Sequence, residues 1–495
     1  MSYTKLAVRG AATVFIMSII AAFLGYLVRL VLAKNLSVEE FGLFYSVFAF
    51  LSMLSIFKTF GFDSALIKFI PEFIHYKKSD YVKSSIIYAA AVQLMTNIAV
   101  IIVIYAASSY LAANFFQDAK ADFVLRLLAI AFFIESFLLV VKFSLQGFKK
   151  MSLFAGIDIV RMVAVLSIVL TGLKLGYGLA SPVIAYIAAP IILILIFGFV
   201  LVRKVFPGFL KSRLIFSRDL FKKIFGYGIF VMAAGAGTLI FGYTDIMVLT
   251  YFSGLTAVAL YSVALPTTKI LIYFPRAIVA ILVPLTSELW AKKKKEMLVE
   301  GMESLYKYSF IIILPLVLVM FSFADIIINI LFGKDYIPAS NAMKILSIGM
   351  IFASINGICS NFFSGIGKPQ IASKIIYSGA IFNLASNLAL IPLFGIIGAA
   401  ITTTFSYGIM MLMGLLDIKK FITVRFPTKI WIKTLIAGLI FTVITWLLKK
   451  VFMLNVLVEA AIVLAIAGIS YIALLFLLKV VDMEEIRNLH ARIAK

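Results

Sequence analysis

The chain has 495 residues, of which 63 % are hydrophobic and only 14 % are charged. An ordinary soluble domain is about half apolar and about a quarter charged. This composition therefore excludes an ordinary soluble domain and predicts an all-α polytopic membrane protein. The formal net charge of +23 does not indicate a nucleic-acid partner, because the basic residues are dispersed between apolar runs.

Apolar runs of the length that crosses a bilayer, about 20 residues, recur along the whole chain. The first follows Lys5 and Arg9 and is too long for the core of a signal peptide, so we interpret it as a retained helix. About 14 transmembrane helices are predicted, at 10–33, 41–60, 84–112, 123–141, 153–173, 181–202, 224–251, 257–285, 308–332, 342–363, 371–392, 395–416, 431–448 and 453–478.

The distribution of Lys and Arg between the predicted loops sets the orientation. With the N-terminus in the cytoplasm, the inner segments hold 32 of these residues and the outer segments hold 8. Because cytoplasmic loops carry the excess of positive charge, this imbalance predicts an even number of spans with both termini cytoplasmic. None of the outer loops exceeds about a dozen residues, a length far below that of a folded domain.

The two halves of the sequence repeat each other with an offset of 216 residues that later becomes 218. Tyr-Ser-Val at 45–47 meets the same tripeptide at 261–263, and Gly147 meets Gly365. Such a repeat predicts two six-helix lobes related by a pseudo-two-fold axis along the membrane normal, plus two C-terminal helices. The predicted divisions are an N-lobe at 1–205 (spans 1–6), a basic cytoplasmic linker and hinge at 206–223, a C-lobe at 224–420 (spans 7–12), spans 13–14 at 421–480 and a cytoplasmic tail at 481–495.

Five segments carry a resemblance to a known family. They are LAKNLSVEEFGLFYSVFAF, FGFDSALIKFIPEF, LQGFKK, SGIGKPQ and IPLFGIIGAAITTTFSY. In these segments and in its six-plus-six-plus-two plan, the chain resembles the Wzx-type polysaccharide flippases of the multidrug/oligosaccharidyl-lipid/polysaccharide exporter (MOP) superfamily. The resemblance implies a transporter of the bacterial or archaeal cytoplasmic membrane with a cationic central cavity. Its substrate would be an oligosaccharide linked to lipid through phosphate or pyrophosphate, moved from the inner to the outer leaflet by alternating access.

Charged residues inside the spans are costly in lipid and are therefore candidates for substrate binding. Arg29 and Asp245 meet under the repeat, so both can face a central cleft; the alternatives are that Arg29 extends to the outer surface, or that the two form a structural ion pair. Lys269 and Arg276 are seven residues apart and share one helix face, which fits a phosphate-binding wall or buried structural cations. Lys58 can guide a headgroup near the inner end of span 2, or extend to the inner surface.

Carboxylates inside the spans are candidates for coupling transport to H⁺ or Na⁺. They are Glu135, Asp158, Asp245 and Asp325, of which Asp325 is expected near an outer helix end. Asp158 is also expected to pair with Arg161, because the two are three residues apart on one helix face. The single cysteine excludes an intramolecular disulfide, and the two histidines, far apart in sequence, argue against a histidine-based metal site; we expect no metal and no cofactor.

Two other transport functions stay open at this point. A multidrug or organic-cation antiporter of the same superfamily needs an acidic cavity; Arg29 argues against it and Asp245 favours it. A peptidoglycan-precursor lipid flippase is the second alternative. The short outer loops disfavour a membrane-bound polymerase, and the lack of a nucleotide motif disfavours an ATP-driven pump. We therefore expect that the protein is not an enzyme. Expected partners are the lipid-linked oligosaccharide, membrane lipids, the coupling ion and glycan-assembly enzymes at the basic inner loops, with the protein itself a monomer.

Overall fold

The computed structural model describes residues 3–273, 282–451 and 456–481. Within these ranges the backbone is almost entirely helical and holds no β-strand. A hydrocarbon environment offers no hydrogen bonds to the backbone, so apolar runs of this length satisfy their peptide groups internally as helices. The predicted class, an all-α polytopic membrane protein, is confirmed.

The part of the chain before residue 206 forms eight helices among the described residues. They are α1 (Tyr3–Asn35), α2 (Val38–Leu54), the single turn α3 (Ile56–Thr59), α4 (Phe62–His75), α5 (Ser79–Leu111), α6 (Lys120–Gly147), α7 (Met151–Lys174) and α8 (Ala180–Val200). Wider π-helical turns extend α5 through Phe116 and α8 through Val205.

The described residues after 217 form eight more helices. They are α9 (Arg218–Lys269), α10 (Leu282–Ala291), α11 (Lys295–Ser322), α12 (Ala324–Phe332), α13 (Ser340–Gly365), α14 (Pro369–Ile418), α15 (Thr428–Val451) and α16 (Val456–Leu477). The two longest are interrupted: Gly254 in α9 and Gly395 in α14 have φ values of 79° and 53°. Glycine adopts such positive φ values with little strain, which explains why the helices break at these residues.

Eleven of the described helical segments are long and apolar enough to cross a membrane, or twelve if α2 and the bent continuation through α4 form one span. The segments Arg218–Ile272 and Pro369–Ile418 have 55 and 50 residues, each with its glycine break. Each is therefore long enough for two crossings of about 20 residues. The total of fourteen spans stays a prediction.

Contacts divide the described residues into two compact units. One comprises the residues up to Ser262 together with Ala380–Ile396, and the other comprises Val263–Gly379 with the residues from Ile397 onward. In the first unit α1 packs on α7, and α6 packs on α4, α5 and α8. In the second unit α11 packs on α13 and α15, and α15 packs on α16. The predicted lobe boundaries stay predictions, and the predicted tail at 481–495 lies outside the described residues except for Val481.

The segment 206–217, predicted as part of a hinge, is held against α5 by hydrogen bonds. The Tyr88 hydroxyl donates to the carbonyl of Ile215 and accepts from the backbone N–H of Ser217, both at 2.9 Å. The carboxylate of Asp80 accepts from the backbone N–H of Arg213 at 2.8 Å. A further layer of aromatic side chains, among them Phe206 and Phe209, packs on the buried core between α4 and α5. This segment is therefore an ordered part of the first unit.

Two glycine contacts bring the first helices directly against the backbone of α9. A Cβ atom on Gly42 of α2 would lie 2.8 Å from the carbonyl carbon of Leu255, and one on Gly61 would lie 2.6 Å from that of Gly228. Real Cβ atoms are essentially never found this close to other atoms. At both points, the approach of the two backbones requires a residue without a side chain.

Candidate functional site

The break between α2 and α4 places a lysine inside the first unit. Phe60 and Gly61 both adopt left-handed backbone conformations, with φ values of 46° and 70°, and so separate α3 from α4. The side-chain amide of Asn97 on α5 donates to the carbonyl of Lys58 at 3.1 Å and stabilises this irregular turn. Lys58 itself is only 6 % exposed, so its ammonium group needs partners within the protein.

A cavity of about 510 Å³ opens beside this turn. Lys58 of α3 and Glu135 of α6 contribute the opposite charges of its wall, and Asp63 contributes a third charged group at the start of α4. The rest of the wall mixes hydroxyls with apolar and aromatic groups: Ser52, Ser55, Thr59, Ser64, Phe48, Phe132, Phe143, Met232, Leu239 and Tyr243 are among them. A few polar groups placed in a largely apolar wall are typical of a ligand-binding cavity.

Five charged side chains from three helices form a bonded triad and a bonded pair, which together we name the charge cluster: Lys58, Glu135 and Arg161 in the triad, and Lys142 and Asp158 in the pair. The Lys58 ammonium donates to Glu135 Oε2 at 2.7 Å, and Arg161 Nη1 donates to Glu135 Oε1. Lys142 donates to both oxygens of Asp158, at 2.7 and 2.8 Å. Two cations thus share the one carboxylate of Glu135, so the triad has one positive charge in excess, while the pair of Lys142 and Asp158 is neutral.

The arrangement corrects one prediction and adds two residues to the site. The expected pair between Asp158 and Arg161 is wrong, since each side chain bonds across to α6 instead. Lys142 follows directly after the predicted span 123–141, but it lies inside α6 and is only 14 % exposed. The seven-residue spacing from Glu135 to Lys142 places both on one helix face, and this signal can be read from the sequence.

Arg29 lies at one end of a row of aromatic rings that leads to the charge cluster. Its guanidinium donates to the carbonyl of Ser262 and stacks over the Tyr45 ring, with Cζ 4.0 Å from the ring centroid. Ring centroids then follow one another at 5.2 to 5.9 Å through Phe44, Tyr186, Phe48 and Phe132. The Lys58 ammonium lies 4.5 Å from the centroid of the last ring, Phe132. Protein groups therefore hold the Arg29 guanidinium, and a cavity-facing role for it stays a prediction.

Asp245 is buried, 3 % exposed, in a polar group of side chains on α9 and α14. Its carboxylate accepts from the hydroxyl of Tyr261 and from Nδ2 of Asn387, the latter at 2.7 Å. Asn387 Nδ2 also donates to Asn383 Oδ1 at 3.0 Å. Tyr261 contacts Asp245, and the next residue in α9, Ser262, contacts Arg29. One turn of α9 therefore contacts both of these predicted site residues.

Two of the remaining predicted site residues belong to the second unit, and the third lies outside the described residues. Lys269 is the last residue of α9 and belongs to the second unit, and Arg276 lies outside the described residues. Asp325 begins α12 with 55 % of its side chain exposed, 3.5 Å from the ammonium of Lys344. Whether any of them binds substrate or couples to an ion stays a prediction.

The many membrane-length helices and the cavity with its few charged and hydroxyl groups are typical of a class, the multi-pass membrane transporters. The sequence profile of the polysaccharide biosynthesis protein family matches residues 7–290, more than half of the chain. The protein belongs to this family. The MatE family profile also matches residues 231–389, and both matches confirm the resemblance found in the sequence.

Similar proteins are found among both sequences and solved structures. The chain is 37 % identical to the uncharacterized membrane protein MJ1068 of Methanocaldococcus jannaschii, over 100 % of each chain. It is 23 % identical to the probable low-salt glycan biosynthesis flippase Agl15 of Haloferax volcanii, over 84 % of each chain. The lipid II flippase MurJ in its inward closed conformation aligns with a TM-score of 0.70 at 17 % identity, over 94 % of this chain and 98 % of MurJ. An inward-facing multidrug resistance MATE family transporter aligns with a TM-score of 0.63 at 17 % identity, over 81 % of this chain and 95 % of that transporter. At these identities the two structures establish a shared fold.

Proposed function

We propose that this protein is a flippase that moves an oligosaccharide, linked to lipid through phosphate or pyrophosphate, from the inner to the outer leaflet by alternating access. The observation that carries the proposal is the convergence of Lys58 and Arg161, from two helices, on Glu135, which lines the cavity together with Lys58. Arginine and lysine are the side chains that bind phosphate best, arginine through its planar fork and lysine as a compact charge. The family's link to polysaccharide biosynthesis and the named role of Agl15 support the same substrate class.

The remaining parts of the proposal extend the sequence predictions. Arg29, Lys269 and Arg276 are further phosphate contacts along the transport path. Asp245, which is buried and accepts from Tyr261 and Asn387, is the preferred residue for coupling to H⁺ or Na⁺, because ionisable side chains inside membrane spans commonly mark ion pathways. The protein works in the cytoplasmic membrane with both termini inside, and its basic inner loops are available to glycan-assembly enzymes.

An organic-cation antiporter is the second candidate function. Asp63 lines the same cavity as Lys58, and its carboxylate accepts from the backbone N–H of Ser64 at 2.8 Å. Together with buried Asp245, it provides acidic groups that a cationic drug needs. The similarity in fold to a multidrug transporter is compatible with this function as well.

Binding measurements on purified protein in lipid nanodiscs separate these functions. A polyprenyl-diphosphate oligosaccharide and an organic cation dye are compared on wild type, Arg29→Ala and the exposed control Lys334→Ala. We expect the anionic lipid to bind, and Arg29→Ala to weaken it by about 1–3 kcal/mol, the contribution of a charged hydrogen bond. The control should bind like wild type.

Each alternative outcome has a separate meaning. Binding of the dye alone contradicts the flippase and favours the antiporter. Equal binding of the anionic lipid by wild type and Arg29→Ala leaves the flippase in place and removes Arg29 from the binding site. Transport of the lipid in proteoliposomes under an imposed H⁺ or Na⁺ gradient then identifies the coupling ion.

A further inference from the structure

Glu135 occupies the point where two cations from different helices meet. One carboxylate oxygen accepts from Lys58 of α3 and the other accepts from Arg161 of α7. Lys58 and Glu135 both line the 510 Å³ cavity, while Glu135 is 19 % exposed. A carboxylate that joins two cations at a cavity wall stands where a phosphate group with two unesterified oxygens would be bound.

The binding capacity of the two cations is only partly used by Glu135. The Nε atom of Arg161 is buried and has no hydrogen-bond partner. Arginine normally presents Nε and Nη together to one anion, as a bidentate fork. Glu135 bonds Arg161 only through Nη1, because its other oxygen is turned to Lys58, so the fork is not completed. A diphosphate has more acceptor oxygens and can satisfy Lys58 and both arginine nitrogens at once.

We infer that Lys58 and Arg161 form the seat for the phosphate group of the substrate, and that Glu135 is a resident counter-anion which the phosphate displaces. The inference rests on the proposed function and adds to it a particular seat and an exchange of anions. In the empty state Glu135 bonds both cations and compensates one of their two positive charges, which would otherwise be costly in the membrane interior. In the loaded state the phosphate takes over that task, and the Glu135 side chain turns into the cavity, whose wall also carries hydroxyl groups.

The exchange gives the seat a moderate affinity. A transporter has to bind its cargo firmly enough to load and weakly enough to release it. Competition from Glu135 lowers the affinity for phosphate by the free energy of the bonds that must first be broken. Glu135 therefore restores the empty seat when the substrate leaves, and neutralising this residue should tighten binding.

The test uses farnesyl diphosphate as the probe and full-length protein in nanodiscs, with binding measured by calorimetry. Glu135→Gln should bind the probe about tenfold more tightly than wild type, as expected for removal of a charged competitor. Farnesol, which has no phosphate, should bind both proteins equally. The matched control is Asp122→Asn, which removes a carboxylate from the same helix but outside the charge cluster. Asp122 is ion-paired with Arg126 at 2.9 Å. The affinity of this variant for the probe should equal that of wild type.

A second variant and a second probe test the inference further. Lys58→Gln should weaken the binding of farnesyl diphosphate about tenfold, since it removes one side of the seat. Inorganic pyrophosphate distinguishes the source of the group: a gain in Glu135→Gln with both probes assigns the seat to diphosphate itself, and a gain with farnesyl diphosphate alone assigns it to the lipid-borne headgroup. If Glu135→Gln does not fold, Glu135→Asp replaces it, because a carboxylate shorter by one methylene cannot join both cations.

The outcomes separate the inference from the function on which it rests. If wild type binds farnesyl diphosphate and the Glu135 variants bind it equally or more weakly, Glu135 is no displaced counter-anion and only the inference is wrong. If neither wild type nor the variants prefer the diphosphate to farnesol, the proposed function itself fails.

Discussion

Replacing Gly42 by alanine tests the contact between α2 and α9 directly. Gly42 is buried, and its added Cβ would lie 2.8 Å from the carbonyl carbon of Leu255 and 3.3 Å from the backbone nitrogen of Ala259. Both neighbours are backbone atoms, which cannot turn away as a flexible side chain can. The two helices must therefore move apart, or the chain must shift along the whole contact.

The size of the effect follows from these distances. Ordinary van der Waals contact begins at 3.4 Å, so the separation from the Leu255 carbonyl carbon has to grow from 2.8 Å to at least that value. Such a shift also loosens the packing of the flanking Phe41 and Phe44, which are 0 % and 1 % exposed. Overpacking of a buried position typically destabilises by about 1–3 kcal/mol, and a clash with backbone belongs at the upper end of that range. We expect the free energy of unfolding to fall by about 3 kcal/mol.

Reversible unfolding in mixed micelles, followed by circular dichroism as dodecyl sulfate increases, measures this change. The control is Gly198→Ala on α8, where an added Cβ meets no atom within 4 Å. There alanine should be neutral or should stabilise by up to about 1 kcal/mol, because it has the higher helix propensity. If Gly42→Ala unfolds at the same detergent fraction as wild type, the close approach of α2 to α9 is wrong, and with it the reasoning from glycine geometry.

Two further predictions concern the segment 206–217 and the single cysteine. Tyr88→Phe removes the hydroxyl that holds this segment on α5, so trypsin should cut within the segment about tenfold faster than in wild type. The exposed control Tyr76→Phe should leave the cutting rate unchanged. Equal cutting of Tyr88→Phe and wild type would contradict the docked segment. Cys359 is fully buried, with Sγ 3.1 Å from the Tyr306 hydroxyl, so a maleimide should label it only as fast as the protein unfolds. Labelling of the native protein at the rate of a free thiol would refute that burial.

The helices and the family could be predicted from the sequence because both depend on local patterns. An apolar run such as 123–141 has to be helical in a membrane whatever lies beside it, and the structure contains it within α6. The exact number of crossings could not be decided in this way. It depends on the breaks at Gly254 and Gly395, where a glycine in a long apolar segment is compatible with either a bend or a turn.

The charge cluster shows what the amino-acid sequence determined by itself and what it left to the tertiary structure. The sequence determined that Lys58, Glu135, Asp158 and Arg161 lie within apolar spans, and that each charge therefore needs a partner or a function. Only the packing of α3, α6 and α7 decided the partners: Lys58 lies 77 residues from Glu135, and Arg161 lies 26 residues from it. The local rule of three-residue spacing predicted a pair between Asp158 and Arg161. Instead, the neighbouring helix α6 provides the partner of each: Lys142 for Asp158 and Glu135 for Arg161. Charge pairing is a short-range interaction between side-chain tips, so it is decided by which helix faces meet, and this is a property of the folded chain.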